Sequence, residues 1–170
     1  MTGGETIQTY LLDSNILIEA HRRYYSFDIC AGFWHCLLHH HGNNKRLLSI
    51  DRVKDELQGK DELCRWVKKA PQTFFPSTGY KVIAESYGKI MEWVHGQSQF
   101  LSAAKAEFAR GADGWLIAYA MINDCMLVTH EVYDANVQKK VKIPNVCRAF
   151  DVKIINTFDM LRELDVHFHW

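Results

Sequence analysis

The sequence lacks an excess of charge of either sign. Its 20 lysines and arginines are matched by 20 aspartates and glutamates, which leaves a formal net charge of zero at pH 7. A chain of this kind has no overall field that would hold a polyanion or a membrane surface. Any contact with a nucleic acid must therefore come from local basic patches or from bound cations.

Long hydrophobic runs and paired cysteines are also missing. No stretch approaches the ~20 apolar residues that span a bilayer, and residues 1–9 lack the charged start and apolar run of a signal peptide. The five cysteines are odd in number and include no Cys-x-x-Cys pair, which argues against a disulfide framework and a zinc knuckle. We therefore expect a cytoplasmic protein with no membrane partner.

Repeats, low-complexity tracts and linkers are absent too. The 170 residues, of which 48% are hydrophobic and 24% charged, have the composition of an ordinary globular protein. At this length we expect one domain over residues 1–170, with a core from about residue 9 to residue 164.

Short apolar runs alternate with longer helical patterns. The predicted strands are residues 9–12, 47–50, 125–129 and 152–155, and the main predicted helices are residues 29–41, 52–58, 61–69, 78–94, 98–110, 113–122 and 157–164. Short strands that are apolar on both faces and separated by helices are typical of a parallel sheet covered on both sides. The predicted fold class is α/β.

The first long predicted helix carries two expectations. Ile29, Phe33 and Leu37 recur at helical spacing and predict its buried stripe. The three histidines at 39–41 are expected to be exposed, because consecutive helix positions point about 100° apart and cannot converge on one zinc ion.

Four acidic residues fall near the predicted carboxyl ends of strands. Asp13 follows the first strand, Glu56 lies on the helix after the second, Asp113 begins the helix before the third, and Glu131 follows the third. Parallel α/β sheets bind ligands in the crevice outside these strand ends. Carboxylates clustered there repel one another unless a cation neutralises them, so the joint pattern suggests Mg²⁺ or Mn²⁺.

Each of these residues also has a structural explanation. Asp13 could cap the following helix, and Asp113 could complement a helix dipole. Glu56 and Glu131 could be solvated surface charges. Only the joint pattern favours a site.

Four segments resemble the motifs of PIN-domain ribonucleases. The run YLLDSNILI at 10–18 resembles their opening motif, and ADGWLIAYA at 112–120 resembles their third acidic motif. The run VKDEL at 53–57 resembles the helix that carries the second acid, and LVTHE at 127–131 resembles the fourth motif. The resemblance runs in order from residue 9 to residue 164, and the tail at 141–147 is similar to a less characterised PIN-like branch rather than to the VapC-like toxins.

The resemblance implies a three-layer α/β/α fold and a metal-dependent ribonuclease. It further implies the toxin of a type II toxin–antitoxin pair, with an antitoxin that occupies the acidic cleft, and a homodimer is possible. His130 stands where many PIN toxins have Asp or Asn, so the fourth ligand is either Glu131 or absent.

For that mechanism we assign roles to the candidate residues. Asp13 and Asp113 are central metal ligands, Glu56 is a ligand or holds a coordinated water, and Glu131 is a ligand of a second ion. The neighbouring polar groups Asn15 and Thr129 would orient a carboxylate or a water. Arg22 and Arg23 would hold the RNA backbone beside Tyr24 and Tyr25, or the lysines at 139, 140 and 142 would hold it. For these lysines we favour a solvated basic loop.

Two other functions remain open. An aspartyl-phosphate-type phosphatase also places a nucleophilic Asp after the first strand, but such enzymes generally have a second Asp two residues later, where this chain has Asn15. Alternatively the chain is a catalytically inactive PIN-like interaction module whose carboxylates are structural. Metal titration separates this module from the enzymes, and a trapped phospho-aspartate separates the phosphatase from the nuclease.

Overall fold

The computed structural model describes residues 7–169, so residues 1–6 and 170 at the two ends of the predicted domain lie outside the described residues. Four parallel strands form its sheet in the order β2-β1-β3-β4. They are β1 Tyr10–Leu12, β2 Leu47–Leu48, β3 Met126–Val128 and β4 Ile154–Ile155. All four predicted strands form, each shorter than predicted.

Helices connect the strands. The α-helices are α1 Ser14–Glu19, α2 Ala31–Gly42, α3 Asp51–Glu56, α4 Glu62–Lys69, α5 Lys81–Gly96, α6 Ser102–Arg110, α7 Asp113–Asn123, α8 Ile143–Ala149 and α9 Thr157–Glu163. A π-helical segment, Ala20–Tyr24, continues α1, and a 3₁₀ turn, Gln72–Phe74, follows α4. No helix within residues 7–169 is long and apolar enough to cross a membrane.

The central strand shows why the fold has three layers. Tyr10, Leu11 and Leu12 point alternately to the two faces of the sheet, yet each is at most 2% exposed. Both faces are therefore covered by helices, as expected for parallel strands joined by crossover connections. This confirms the predicted α/β class with a parallel central sheet.

The strand order creates a switch point between β1 and β3. The chain passes from β1 to β2 on one side, and then returns to β3 on the other side of β1. In open parallel sheets the crevice at such a reversal is the usual ligand site. Asp13 follows β1 and Thr129 follows β3, and Asp13 N donates to Val128 O at 3.1 Å across this boundary.

Close packing fixes the start of α7. A Cβ on Gly114 would lie 2.9 Å from Tyr87 Cε2 and 3.1 Å from Phe108 Cε1. Only glycine allows α5 and α6 to approach α7 so closely at this point. The packing holds the neighbouring Asp113 in a fixed position.

Two expectations about the first long helix are wrong. Ile29 is 82% exposed because α2 begins at Ala31, so Ile29 precedes the helix. His41 is buried, with Nδ1 3.0 Å from Leu47 O and Nε2 2.9 Å from Thr73 Oγ1. Its ring therefore ties the end of α2 to β2 and the 3₁₀ turn, whereas His39 is exposed as predicted.

Candidate metal centre

Asp13 is a buried carboxylate with weak partners. It caps α1, as its structural explanation requires, but its bond from Asn15 N is 3.4 Å long. The hydroxyls of Ser14 and Thr129 donate to it at 3.4 Å and 3.3 Å. Its exposure is 0%, and burial, followed by the negative charge of Glu131, raises its pKa to about 6. Helix capping alone does not compensate for the burial of this charge.

Asp113 is close enough to Asp13 for their charges to interact, although 100 residues separate the two in the sequence. It is the first residue of α7 and only partly exposed. Burial, followed by the negative charges of Asp13 and Glu131, raises its pKa to about 8, although the nearby Lys140 acts in the opposite direction. The fold therefore brings both predicted central aspartates into one electrostatic cluster.

Glu131 rather than His130 faces this cluster. The main chain turns after β3, where Glu131 N donates to Thr129 Oγ1 at 3.1 Å. The Glu131 side chain points to the start of α8, accepting from Ile143 N at 2.8 Å, and pairs with Lys140. His130 points elsewhere, with its Nε2 3.1 Å from Thr157 Oγ1.

Glu56 stands at the rim of the cluster. It is the last residue of α3 and is exposed, and its Oε1 accepts a hydrogen bond from Ala112 N at 2.8 Å. This bond joins α3 to the residue before Asp113. The charge of Glu56 makes the smallest contribution to the raised pKa of Asp113.

A cavity of about 210 Å³ opens beside Asp113 and Glu56. Asn15, Glu56 and Asp113 line it, together with Lys140 and Glu107, which the sequence analysis did not predict. Lys140 is exposed, as the solvated-loop interpretation expects, but its ammonium also contacts Glu131. Nothing in the sequence indicates a site at Glu107, because a glutamate on the polar face of an amphipathic helix is usually a solvated surface residue.

The predicted RNA-binding residues lie on the π-helical segment. Arg23 is ion-paired with Glu19 at 3.0 Å, and both arginines are exposed. Tyr25 stacks on Phe33 with ring centroids 4.5 Å apart, so its ring packs against the core instead of being free to stack on bases. Tyr24 remains 49% exposed.

Other arginines lie closer to the acidic cavity. The Arg52 guanidinium lies 3.9 Å from the ring centroid of Trp115 and donates to Thr78 Oγ1 at 3.0 Å. Arg52, Arg110 and Trp115 line a second cavity of about 220 Å³, which shares Glu56 and Gly111 with the first. The joined cavities place fixed positive charge beside the carboxylates.

The donor chemistry of the cluster suits a hard divalent cation. Carboxylate oxygens are the ligands that Mg²⁺ and Mn²⁺ prefer, and Asp13 and Asp113 lack strong compensating partners. As the side chains stand, however, no three carboxylate, imidazole or thiol groups within residues 7–169 converge to hold a metal ion. Glu56 and Glu131 are instead bonded to protein N–H groups and to Lys140.

One family model matches almost the whole chain. It is described as a domain of unknown function, DUF4411, and it matches residues 10–168. The chain belongs to the DUF4411 family. A search among curated proteins found no match to it. Since the description of DUF4411 names no activity, the function of this DUF4411 chain is argued from the site itself.

The raised pKa values of Asp13 and Asp113 make the stability of this DUF4411 chain depend on pH. Both pKa values lie above the unperturbed 3.8, so the folded chain binds these protons more tightly than the unfolded chain does. The metal-free chain therefore loses stability as the pH rises from about 4 through 6 to 8. We predict that Asp13→Asn raises the stability of metal-free protein at pH 8 by about 1–3 kcal/mol, or roughly 2–10 °C in Tm. Thermal unfolding measured from pH 4 to pH 8 checks this.

A second helix cap provides the control for this measurement. Asp61 caps α4 by accepting from Cys64 N at 2.8 Å, and this hydrogen bonding lowers its pKa. Asp61→Asn should therefore give no gain at pH 8. Added Mn²⁺ should stabilise the wild type more than Asp13→Asn. Destabilisation by Asp13→Asn at every pH would show that Asp13 is only a helix cap.

Proposed function

We propose that this chain is a Mg²⁺- or Mn²⁺-dependent endoribonuclease of the PIN type. The observation that carries the proposal is that Asp13 and Asp113 interact at the switch point of a parallel sheet. The negative charge of Glu131 is close enough to raise the pKa of both. Buried carboxylates placed together reduce stability, so a function that requires their charge explains their position better than a structural role. The order of the four PIN-like motifs along the chain supports the same reaction.

The chain's own residues would hold and orient the reacting groups. Asp13 and Asp113 would hold the metal, which when bound offsets phosphate charge and favours deprotonation of water at neutral pH. Thr129 donates to Asp13 Oδ2 at 3.3 Å and so limits rotation of that carboxylate. Asn15 lines the cavity from the first turn of α1, where its amide can bind a water or a phosphate oxygen.

RNA would approach along the joined cavities. Arg52 and Arg110 offer positive charge beside Glu56, and the exposed Arg22 and Arg23 offer it on the π-helical segment. Such contacts bind backbone phosphates and carry little sequence information. Because these patches are local, the zero net charge of the chain is compatible with an RNA substrate.

The biological role rests on the PIN resemblance alone. We propose a cytoplasmic toxin that can form a homodimer and whose antitoxin covers the acidic cavity. A partner that presents an arginine or lysine to Asp13 and Asp113 would neutralise the same charges that the metal neutralises.

Removing either central aspartate should abolish RNA cleavage. Asp13→Asn and Asp113→Asn both keep the side-chain shape, and Asp13→Asn also keeps the capping oxygen, but both lose the charge that would hold the metal. We expect both to lower cleavage of a panel of tRNA, rRNA and single-stranded oligonucleotides in Mn²⁺ by more than about 100-fold, the upper range for groups that only support a ligand. EDTA should abolish cleavage by the wild type.

Asp124 provides the matched control for these variants. It lies at the opposite end of α7 from Asp113, is exposed, and has a φ of 50°, which asparagine also tolerates. Asp124→Asn purified in parallel should retain wild-type cleavage, whereas any cleavage left in both aspartate variants and insensitive to EDTA reports a contaminating nuclease. Full activity of folded Asp13→Asn or Asp113→Asn would contradict the proposal.

The interaction module is the second candidate function. It is favoured by the contacts of Glu56 and Glu131, since both carboxylates join elements of the fold. For this function, neither Mg²⁺ nor Mn²⁺ would shift the melting temperature. The phosphatase has less support, because Asn15 replaces the second aspartate and Asp13 is 0% exposed. A phospho-aspartate trapped on Asp13 would favour the phosphatase over the nuclease.

Glu131 should matter more than its neighbour His130. Glu131→Gln removes a negative charge that acts on Asp13 and Asp113, while glutamine can still accept from Ile143 N. We expect this variant to weaken Mn²⁺ binding about tenfold or more and to slow cleavage. His130→Ala should change both by much less, because its ring contacts Thr157. Isothermal titration calorimetry measures the affinities, and the reverse order of effects would contradict this assignment.

A further inference from the structure

One lysine reaches the acidic cluster from a segment without regular secondary structure. Lys140 lies between β3 and α8, and its Nζ donates to Glu131 Oε1. Its side chain also lines the cavity that Glu56 and Asp113 line. The ammonium therefore lies beside carboxylates of the cluster, although the side chain is partly exposed to solvent.

The backbone around Lys140 is fixed to the rest of the fold. Before it, Gln138 O accepts a hydrogen bond from Leu101 N at 3.0 Å. After it, Val141 is 2% exposed and belongs to the hydrophobic core. These two anchors direct the side chain of Lys140 to one place.

The neighbouring lysines do not share this position. Lys142 Nζ lies 3.8 Å from Asp134 Oδ2, and Lys139 is exposed. The Glu131 side chain is only 13% exposed, against 46% for Lys140. Water and salt therefore screen the Lys140–Glu131 ion pair less than they would screen an ion pair on the open surface.

The position of Lys140 limits how many metal ions the cluster can take. A second divalent cation on Glu131 would have to displace the ammonium or lie against it, and like charges a few ångströms apart repel strongly. Lysine is a compact point charge that also binds phosphate oxygens.

Resting on the proposed function, we propose that Lys140 takes the place of a second divalent cation. The chain then binds one metal ion, at Asp13 and Asp113, and the Lys140 ammonium supplies the remaining positive charge that faces the phosphate of the RNA. In this arrangement Glu131 holds the lysine and is not the ligand of a second ion.

The number of Mn²⁺ ions bound by the full chain tests this proposal. Calorimetry and the electron paramagnetic resonance signal of free Mn²⁺ should both give one ion per wild-type chain. Lys140→Met should bind Mn²⁺ about tenfold more tightly or take a second ion, because a repelling charge is gone. Lys140→Arg keeps the charge and should match the wild type, and so should the control Lys139→Met.

The outcomes separate this inference from the proposed function. Two ions per wild-type chain, or identical Mn²⁺ binding by the wild type and Lys140→Met, would overturn the role of Lys140 and leave the ribonuclease proposal intact. A wild-type chain that binds no Mn²⁺ would overturn both. Circular dichroism checks folding, and Lys140→Gln is the second neutral variant if Lys140→Met does not fold. A wild-type count of two ions overturns the role of Lys140 without any variant.

Discussion

The burial of the Asp13 carboxylate among other acids is the constraint on which the rest of the site depends. β1 runs through the centre of the sheet with both faces covered, so the residue that follows it is held away from water. The reversal of strand order then places Thr129 beside it, and α7 brings Asp113. Each of these neighbours either adds negative charge near Asp13 or partly offsets the cost of burying the Asp13 carboxylate.

The groups that offset the negative charge of Asp13 compensate for its burial only in part. The hydrogen bonds to the Asp13 carboxylate are 3.3 Å or longer, and the Lys140 ammonium is paired with Glu131. Two glutamates are tied down by main-chain N–H groups at the starts of α7 and α8, which is where helix dipoles favour negative charge. The protein therefore holds the glutamates for structural reasons and leaves the two aspartates as the groups that a cation would stabilise most.

Most of the fold was predictable from local patterns in the sequence. Short apolar runs predicted the four strands, and the acids after those runs predicted the edge at which the candidate site lies. Ile29 was assigned wrongly because spacing alone does not show where a helix begins. His41 was assigned wrongly because its two partners, Leu47 and Thr73, are brought to it by tertiary packing.

The same limit explains what was missed in the site. Lys140 has the sequence pattern of a solvated basic loop, and only the anchoring of that loop at Gln138 and Val141 brings it to Glu131. Arg52 likewise depends on Trp115 and Thr78, which are distant in the sequence. Charged groups are placed by long-range contacts, whereas apolar periodicity is a local property.

Diffraction from crystals soaked in MnCl₂, recorded at the manganese absorption edge, tests the central claim most directly. The claim is that the Asp13–Asp113 cluster is a divalent-cation site. The account predicts an anomalous peak about 2.1 Å from carboxylate oxygens of both aspartates, and no such peak in Asp13→Asn crystals. Wild-type crystals with no peak between these two residues, or with peaks only at surface histidines, would contradict it.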